Sequence, residues 1–295
     1  AADAWRHALH TVTSPLGVYS SEVSVYNEGA RLTPIGTPRV YTAQFDEPTG
    51  DFVLVLEDIA DRRCEDQTVG CEIASAEIAV DALAKMHAHW WNSDFAQLPW
   101  IKSYVHPPYP QVIAGMFAQS WPVALEVVGD HLPGPIKDFG DRFPSLVGWF
   151  LEEATEPPLT LCHGDYRLDN IFFATSPEHP PVTVLDWQIC FKGNPGYDLG
   201  YFTSQSLATE TRRKIETDLI DRYVRDVTSA GNDVDRAKLD DAYARTIAYC
   251  FVYPIAACGQ IEVTSPRMVE LVKGMCDRSV AAIEDMDALS LLPKA

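Results

Sequence analysis

Three side chains that carry oxygen atoms lie in one segment of the sequence whose pattern suits phosphoryl transfer. Asp165 and Asn170 are five residues apart on one polar loop, and Asp186 ends an apolar run further downstream. Phosphoryl transfer needs a carboxylate that accepts or orients the attacking hydroxyl, and oxygen ligands that hold Mg²⁺ on the triphosphate. The spacing allows Asp165 and Asn170 to face one cleft, with Asp186 supplying a second ligand from a neighbouring strand.

Each of these residues also has an ordinary structural interpretation. Asp165 and Asn170 could satisfy backbone groups of their own loop, and Asp186 could be a turn residue at a strand end. A hydrolase that uses Asp and His is a further alternative. The sequence contains no G-x-S-x-G motif and no recognisable activated nucleophile, which disfavours that class. The three residues together favour phosphoryl transfer.

The elements around this segment predict how it is positioned. Strands are expected at 159–173 and 182–187, with the polar loop inside the first region. Residues 72–91 predict a helix, because Ile73, Ala76, Val80, Leu83 and Ala84 recur at steps of three and four. His87 continues that series and is interpreted as a core residue. Further helices are expected at 15–33, 109–128, 136–155, 197–208, 210–229, 233–259 and 265–289.

A β-hairpin is predicted near the beginning of the chain. Residues 38–45 and 52–57 read as strands around the turn formers of Asp46–Asp51. Every residue of Phe52–Leu56 is apolar, which predicts a strand buried on both faces. The pattern indicates an α+β fold with two lobes: a small N-terminal α/β lobe at 1–60 and a larger, mainly helical lobe at 61–295.

The chemistry-bearing segment resembles a known group of kinases. His163-Gly164-Asp165 with Asn170, followed by Leu185-Asp186-Trp187, is similar to the catalytic loop and metal-binding strand of the aminoglycoside phosphotransferase and choline kinase-like superfamily. Within it, the sequence is most similar to the CHK kinase-like (ecdysteroid kinase-like) group. Three more stretches carry the resemblance: Tyr19 to Tyr26 around Glu22, Phe52 to Asp58, and Ala84 to Trp91 around His87.

The resemblance implies a bilobal protein-kinase-like fold, ATP and Mg²⁺ as cofactors, and specific roles for the residues. Asp165 would be the catalytic base or hydroxyl-orienting residue, and Arg167 would touch the γ-phosphate. Asn170 and Asp186 would be magnesium ligands. The supporting roles would fall to Glu22 (pairing with a phosphate-binding lysine), Glu57, Asp58 and Ile59 (a hinge that binds adenine), His163 (bracing the loop backbone) and Asp198 (bracing the catalytic loop). Taken alone, Glu22 reads as a solvated helix residue and Asp198 as a helix cap.

The sequence departs from this family pattern at its start. Family members carry a glycine-rich loop and a lysine on strands that precede the Glu22 helix, whereas the first lysine here is Lys85. Either the recorded chain is an N-terminally truncated product of a complete kinase, or it is a degenerate, non-catalytic relative. In both cases we expect the 295 residues to bind ATP poorly and to turn it over feebly or not at all.

Composition narrows the possible partners. The formal net charge of −19 argues against nucleic acid and against an anionic membrane surface as partners, since both are bound through clustered Lys and Arg.

The seven cysteines show no metal-binding spacing, so free thiols are expected. Residues 1–10 do not have the pattern of a signal peptide, and a cytoplasmic location is therefore expected. The expected substrate is a small hydroxylated molecule. Its identity and the oligomeric state are not indicated.

Overall fold

The computed structural model describes residues 16–95, 98, 100–260 and 266–294, and in that part nine α-helices surround short β-strands. The helices are α1 Val18–Asn27, α2 Ile73–Trp90, α3 Tyr109–Val128, α4 Gly134–Glu153, α5 Gly196–Ser206, α6 Thr209–Ser229, α7 Arg236–Tyr249, α8 Val252–Gln260 and α9 Pro266–Asp285. The strands are β1 Val40–Phe45, β2 Phe52–Leu56, β3 Arg63–Cys64, β4 Thr160–Cys162, β5 Ile171–Phe173, β6 Val182–Val184 and β7 Phe191–Gly193. The predicted α+β class with a larger helical part is confirmed. Residues 1–15 of the predicted lobe at 1–60 lie outside the described residues, and the division at residue 60 stays a prediction.

The predicted hairpin forms, but the burial expected for its second strand is wrong. β1 and β2 pair antiparallel, with Phe45 opposite Phe52 and Val40 opposite Leu56. Val53 and Val55 are 44% and 47% exposed, whereas Leu54 and Leu56 pack against the core. Among the described residues, only one face of this two-stranded sheet is covered, so the apolar run forms a half-exposed strand.

The helix predicted at 233–259 is two helices in the structure. α7 ends at Tyr249, α8 begins at Val252, and Pro254 lies in the first turn of α8. A proline is tolerated in a first turn, whereas inside a continuous helix its ring would clash with the carbonyl four residues earlier, here that of Cys250. The break therefore falls where Pro254 requires it.

Buried apolar residues of α2 anchor the helical part of the chain. Ala76, Val80, Leu83 and Ala84 have no exposed surface, which confirms the face predicted from their spacing.

By length and composition alone, the segment Tyr109–His131, which contains α3, could cross a membrane, and 33% of its most apolar window is buried. This is weak support for a membrane span, since core helices pass the same test. All seven cysteines are free thiols, and six of them are buried.

Two small sheets frame the polar loop of residues 163–170. β4 pairs antiparallel with β7, and β5 pairs with β6 on one side and β3 on the other. The loop therefore leaves the β4–β7 sheet and enters the β5–β6 sheet, and Asp186 follows β6 directly. Sequence patterns missed β3 and β7, because strands of two and three residues are too short to show a period.

Candidate active site

The structure places Asn170 beside the segment that carries Asp186. Asn170 ends the short 3₁₀ turn Leu168–Asn170, and its backbone oxygen accepts a hydrogen bond from the Leu185 amide at 3.0 Å. Asp186, the next residue, has a φ of 62°, a left-handed conformation that is uncommon outside glycine. Asp165 lies close enough for its charge to raise the pKa of Asp186. The three oxygen-bearing residues thus converge on one place.

Several donors hold the carboxylate of Asp165. The Tyr201 hydroxyl donates to Oδ1 at 2.5 Å, and the side-chain amide of Asn170 donates to Oδ2 at 2.9 Å. The Nε–H of Arg167 lies 3.1 Å from Oδ1. Because three side chains donate to it, this carboxylate is held in one orientation, although it is still partly open to solvent.

The donor set fits a divalent cation. The Asn170 side-chain nitrogen donates to the Asp165 backbone oxygen and to its Oδ2, so the amide oxygen is directed away from Asp165 and is available as a ligand. Burial, and then the charge of Asp165, raise the pKa of Asp186. A bound cation would offset both effects, and amide and carboxylate oxygens are the ligands that Mg²⁺ prefers.

His163 contacts the backbone on both sides of its ring. Its Nε2 lies 2.9 Å from the Leu185 oxygen, and its Nδ1 accepts from the Asp165 amide at 3.2 Å. The buried imidazole therefore connects the loop of residues 163–170 to the segment before Asp186. The expected role, bracing the loop, is compatible with these contacts.

Asp198, in the first turn of α5, is fully buried beneath the loop. Its Oδ2 accepts from the His163 amide at 2.6 Å and its Oδ1 accepts from the Gly164 amide at 2.9 Å. His87 Nε2 lies 3.1 Å from the same carboxylate, and His87 Nδ1 lies 2.8 Å from the Tyr223 hydroxyl. His87 is a core residue as predicted, but no sequence pattern indicates its contact with Asp198, 111 positions away.

Glu22 is buried beside Asp186, which excludes the solvated interpretation. The residue is 7% exposed, and the ion pairs of the described residues include none with Glu22. The lysine partner implied by the family resemblance is therefore not found in that part of the chain. Burial, and then the charge of Asp186, raise the pKa of Glu22 from 4.5 to about 7.

Replacing Glu22 with glutamine is expected to stabilise the protein increasingly as pH rises above about 4.5, with nearly the full effect reached by pH 7. Because its pKa is raised on folding, Glu22 lowers the free energy of unfolding as pH rises from about 4.5 through 7. The Glu22→Gln variant should exceed the unaltered chain by about 3 kcal/mol at pH 8.5 and match it near pH 4.5. Urea unfolding at both pH values measures the difference, with exposed Glu47→Gln as the control. A pH-independent difference would contradict the prediction.

Arg167 is held by two carboxylates on its own loop. It forms ion pairs with Asp165 and Asp169, and a quarter of its side chain is exposed. The guanidinium lies close to the oxygen that would orient an acceptor. Contact with a phosphate stays a prediction, and an Arg167→Ala variant with unchanged turnover would overturn it.

The segment expected to be the hinge follows β2 directly. The Glu57 amide donates to the Arg39 oxygen at 2.8 Å, and the Glu57 carboxylate accepts from the Arg39 amide and from Arg62. Asp58 is exposed, whereas Ile59 is buried. These contacts order the segment. Adenine binding by residues 57–59 stays a prediction.

Tyr201 is a site residue that sequence patterns did not reveal. It lies three positions after Asp198 on α5, so both side chains project from one helix face. Its ring stacks on Tyr253 with centroids 4.3 Å apart, and the Tyr253 hydroxyl donates to the Gly164 oxygen at 3.2 Å. The three-residue spacing from Asp198 was the available signal.

Replacing Tyr201 with phenylalanine should lower turnover while keeping the fold. The variant loses the hydrogen bond to Asp165 but retains the stacked ring. We expect turnover to fall about tenfold and the free energy of unfolding to drop by about 1 kcal/mol. Single-turnover kinetics and urea unfolding test this, with exposed Tyr41→Phe as the control. Equal rates for the two variants would show that Tyr201 does not position Asp165.

Solved structures of other proteins are similar to this chain in fold. Among solved structures, the chain is similar to one assigned to the aminoglycoside phosphotransferases from Ralstonia eutropha (20% identity, 92% of this chain, 84% of that one, TM-score 0.56). It is also similar to a choline/ethanolamine kinase family protein from Mesorhizobium loti, with 16% identity, 92% of this chain and 82% of that one covered, and a TM-score of 0.54. A Plasmodium vivax ethanolamine kinase is similar with 10% identity, 93% of this chain and 73% of that one covered, and a TM-score of 0.51. At these identities the likeness shows the fold.

Sequence comparison places the chain in a family. It is 31% identical over 86 residues to acyl-CoA dehydrogenase family member 10 of Mus musculus, a match that covers 25% of this chain and 8% of that protein. The family model for the ecdysteroid kinase-like family matches residues 18–234, which include every predicted site residue. The chain belongs to the ecdysteroid kinase-like family.

Proposed function

We propose that the protein transfers the γ-phosphate of ATP to a hydroxyl group of a small organic molecule, with Mg²⁺. The observation that carries the proposal is the convergence of Asp165, Asn170 and Asp186 on one place, with Asp165 oriented by Tyr201 and Asn170. The family and the kinase-like fold support the same reaction class. A small hydroxylated acceptor, no nucleic acid or membrane partner, and a cytoplasmic location belong to the proposal.

Each proposed site residue would have a separate role in the reaction. Asn170 and Asp186 would hold Mg²⁺, which when bound supplies positive charge to the triphosphate. Asp165 would accept a hydrogen bond from the acceptor hydroxyl and take its proton as the oxygen attacks the γ-phosphorus. The bond from that phosphorus to the β,γ-bridging oxygen breaks, and ADP leaves. Asp198 and His163 keep the loop backbone in place throughout.

Release of ADP that depends on both Mg²⁺ and an acceptor tests the proposal. The chain is incubated with ATP and a panel of amino alcohols, sugars and sterols, with and without EDTA, and the phosphorylated product is identified by mass spectrometry. We expect slow turnover with an acceptor of the right class. Acceptor hydrolysis without ATP would instead support the hydrolase alternative.

A second candidate is a non-catalytic nucleotide- or small-molecule-binding protein on the same fold. The buried Glu22 favours it, because this carboxylate faces Asp186 without a cation among the described residues. In that case Mg²⁺ and ATP together would raise the melting temperature, but no acceptor would stimulate ADP release. The weak ATP binding expected of these 295 residues is compatible with either candidate and stays a prediction.

A further inference from the structure

A groove runs along one side of α2, and none of its lining residues is a predicted site residue. One cavity of about 310 Å³ lies between α2, the Pro34–Gly36 segment and the Pro180–Val182 turn. A second cavity, of about 480 Å³, extends it toward His89 and α6. The two share Pro34, Asp81 and Lys85, so they form one continuous groove. The first cavity alone has the size of a small-ligand site.

The walls of the first cavity are apolar and held in place by backbone contacts. Pro34, Ile78 and Pro181 supply the accessible apolar surface, with Ile78 38% exposed, whereas Ile35 and Val182, which also line the cavity, are buried. The Gly36 oxygen accepts from the Val184 amide at 2.9 Å, which joins the Pro34–Gly36 wall to strand β6. The side of the cavity formed by the Pro34–Gly36 segment is therefore fixed to β6 before any ligand arrives.

The charges along the groove leave one cation without a partner. Asp81 forms two hydrogen bonds with Arg222, and Asp226 pairs with Arg225 at 2.8 Å. Lys85 is exposed and lines both cavities, yet within residues 16–95, 100–260 and 266–294 it has no ion pair. Arg222 is also 3.8 Å from Glu77, so of the Asp and Lys side chains that line the groove, Lys85 alone has no ion pair among the described residues.

We propose that this groove binds a small organic monoanion with a compact apolar body, such as a medium-chain or aromatic carboxylate. The apolar part would lie against Pro34, Ile78 and Pro181, and the carboxylate would pair with the Lys85 ammonium. Removing this apolar surface from water supplies the affinity, and the lysine selects for negative charge. The site stands apart from the proposed phosphoryl transfer and does not depend on it.

Titration calorimetry with octanoate tests the proposal, with octanol and octylamine as ligands of similar length. We expect saturable one-to-one binding of octanoate, and weaker binding of the neutral and cationic compounds. Lys85→Gln should weaken octanoate binding about tenfold, because the charge-assisted contact is lost. Lys238→Gln is the matched control, since Lys238 is also an exposed helical lysine that forms no ion pair among the described residues.

A second variant tests the cavity without changing charge. Ala82 lines the first cavity, and Ala82→Leu places added bulk in it while retaining a good helix former. Octanoate affinity should fall at least as far as in Lys85→Gln, with an unchanged melting temperature. Absence of binding, equal binding of all three ligands, or affinity unaffected by either variant would overturn the proposal. Equal binding would indicate adsorption to apolar surface such as that of β2.

Discussion

Replacing Asp165 with asparagine is expected to lower Mg²⁺-dependent ADP release by about 10²- to 10⁴-fold, the contribution typical of a general base. The amide keeps the size of the side chain but cannot take the acceptor proton. Enzyme in excess over radiolabelled ATP gives single-turnover rates, so even slow transfer is resolved. Mg²⁺-dependent stabilisation by ATP should remain within a small factor, because Asn170 and Asp186 are unchanged.

The matched control is Asp138→Asn, the same chemical change at an exposed position of α4. Its rate should equal that of the unaltered chain. If Asp165→Asn and Asp138→Asn transfer phosphate equally fast, Asp165 neither orients nor deprotonates the acceptor. The proposed mechanism would then be wrong even though the fold is that of a kinase.

The site was predictable where short-range sequence order determines geometry. Asp165 and Asn170 share one loop, and Asp186 follows the strand that pairs with the strand after this loop, so neighbouring strands bring the three together. Local sequence patterns are therefore sufficient to predict that the proposed metal ligands lie close together. The same reasoning located α2 and the hairpin to within a few residues.

The interactions that hold the site were not predictable in this way, because they join distant positions. Tyr201 reaches Asp165 across 36 positions, and His87 reaches Asp198 across 111. Such contacts produce no periodic pattern in the sequence, because each depends on how the helices pack against one another. The exposure of Val53 and Val55 was also missed, since an apolar run shows that residues prefer burial but not which surface covers them.

Burial also changed the interpretation of two charged residues. The sequence alone indicates a solvated residue for Glu22 and a helix cap for Asp198. In the structure, Glu22 is 7% exposed and Asp198 is not exposed at all. A buried carboxylate must be hydrogen-bonded or protonated. Asp198 accepts from three donors, whereas for Glu22 burial and the charge of Asp186 outweigh its hydrogen bonds with Gln188 and the Trp187 backbone and raise its pKa. The two therefore respond to substitution in opposite ways.

For Asp198, replacement with asparagine should destabilise the protein by about 3 to 5 kcal/mol, because a buried carboxylate that accepts from three donors is replaced by an amide that cannot satisfy all of them. Its two oxygens accept from the amides of His163 and Gly164, and an asparagine must turn its NH₂ group toward one of them. That leaves two donors facing each other without water. Urea unfolding measures the loss, and exposed Asp218→Asn should change the free energy of unfolding by under about 0.5 kcal/mol.

A graded series separates the role of Asp198 from general damage to the core. His87→Gln removes one of the three donors but leaves both loop amides bound to Asp198, so its cost should be smaller, about 1 to 3 kcal/mol. In Asp198→Asn the loop itself loses support, and proteolysis should cut near residues 163–170 before the rest of the chain unfolds. If His87→Gln costs as much as Asp198→Asn, or Asp198→Asn is as stable as Asp218→Asn, the loop is held by other contacts. The order of the three variants therefore decides whether one buried carboxylate positions the catalytic loop.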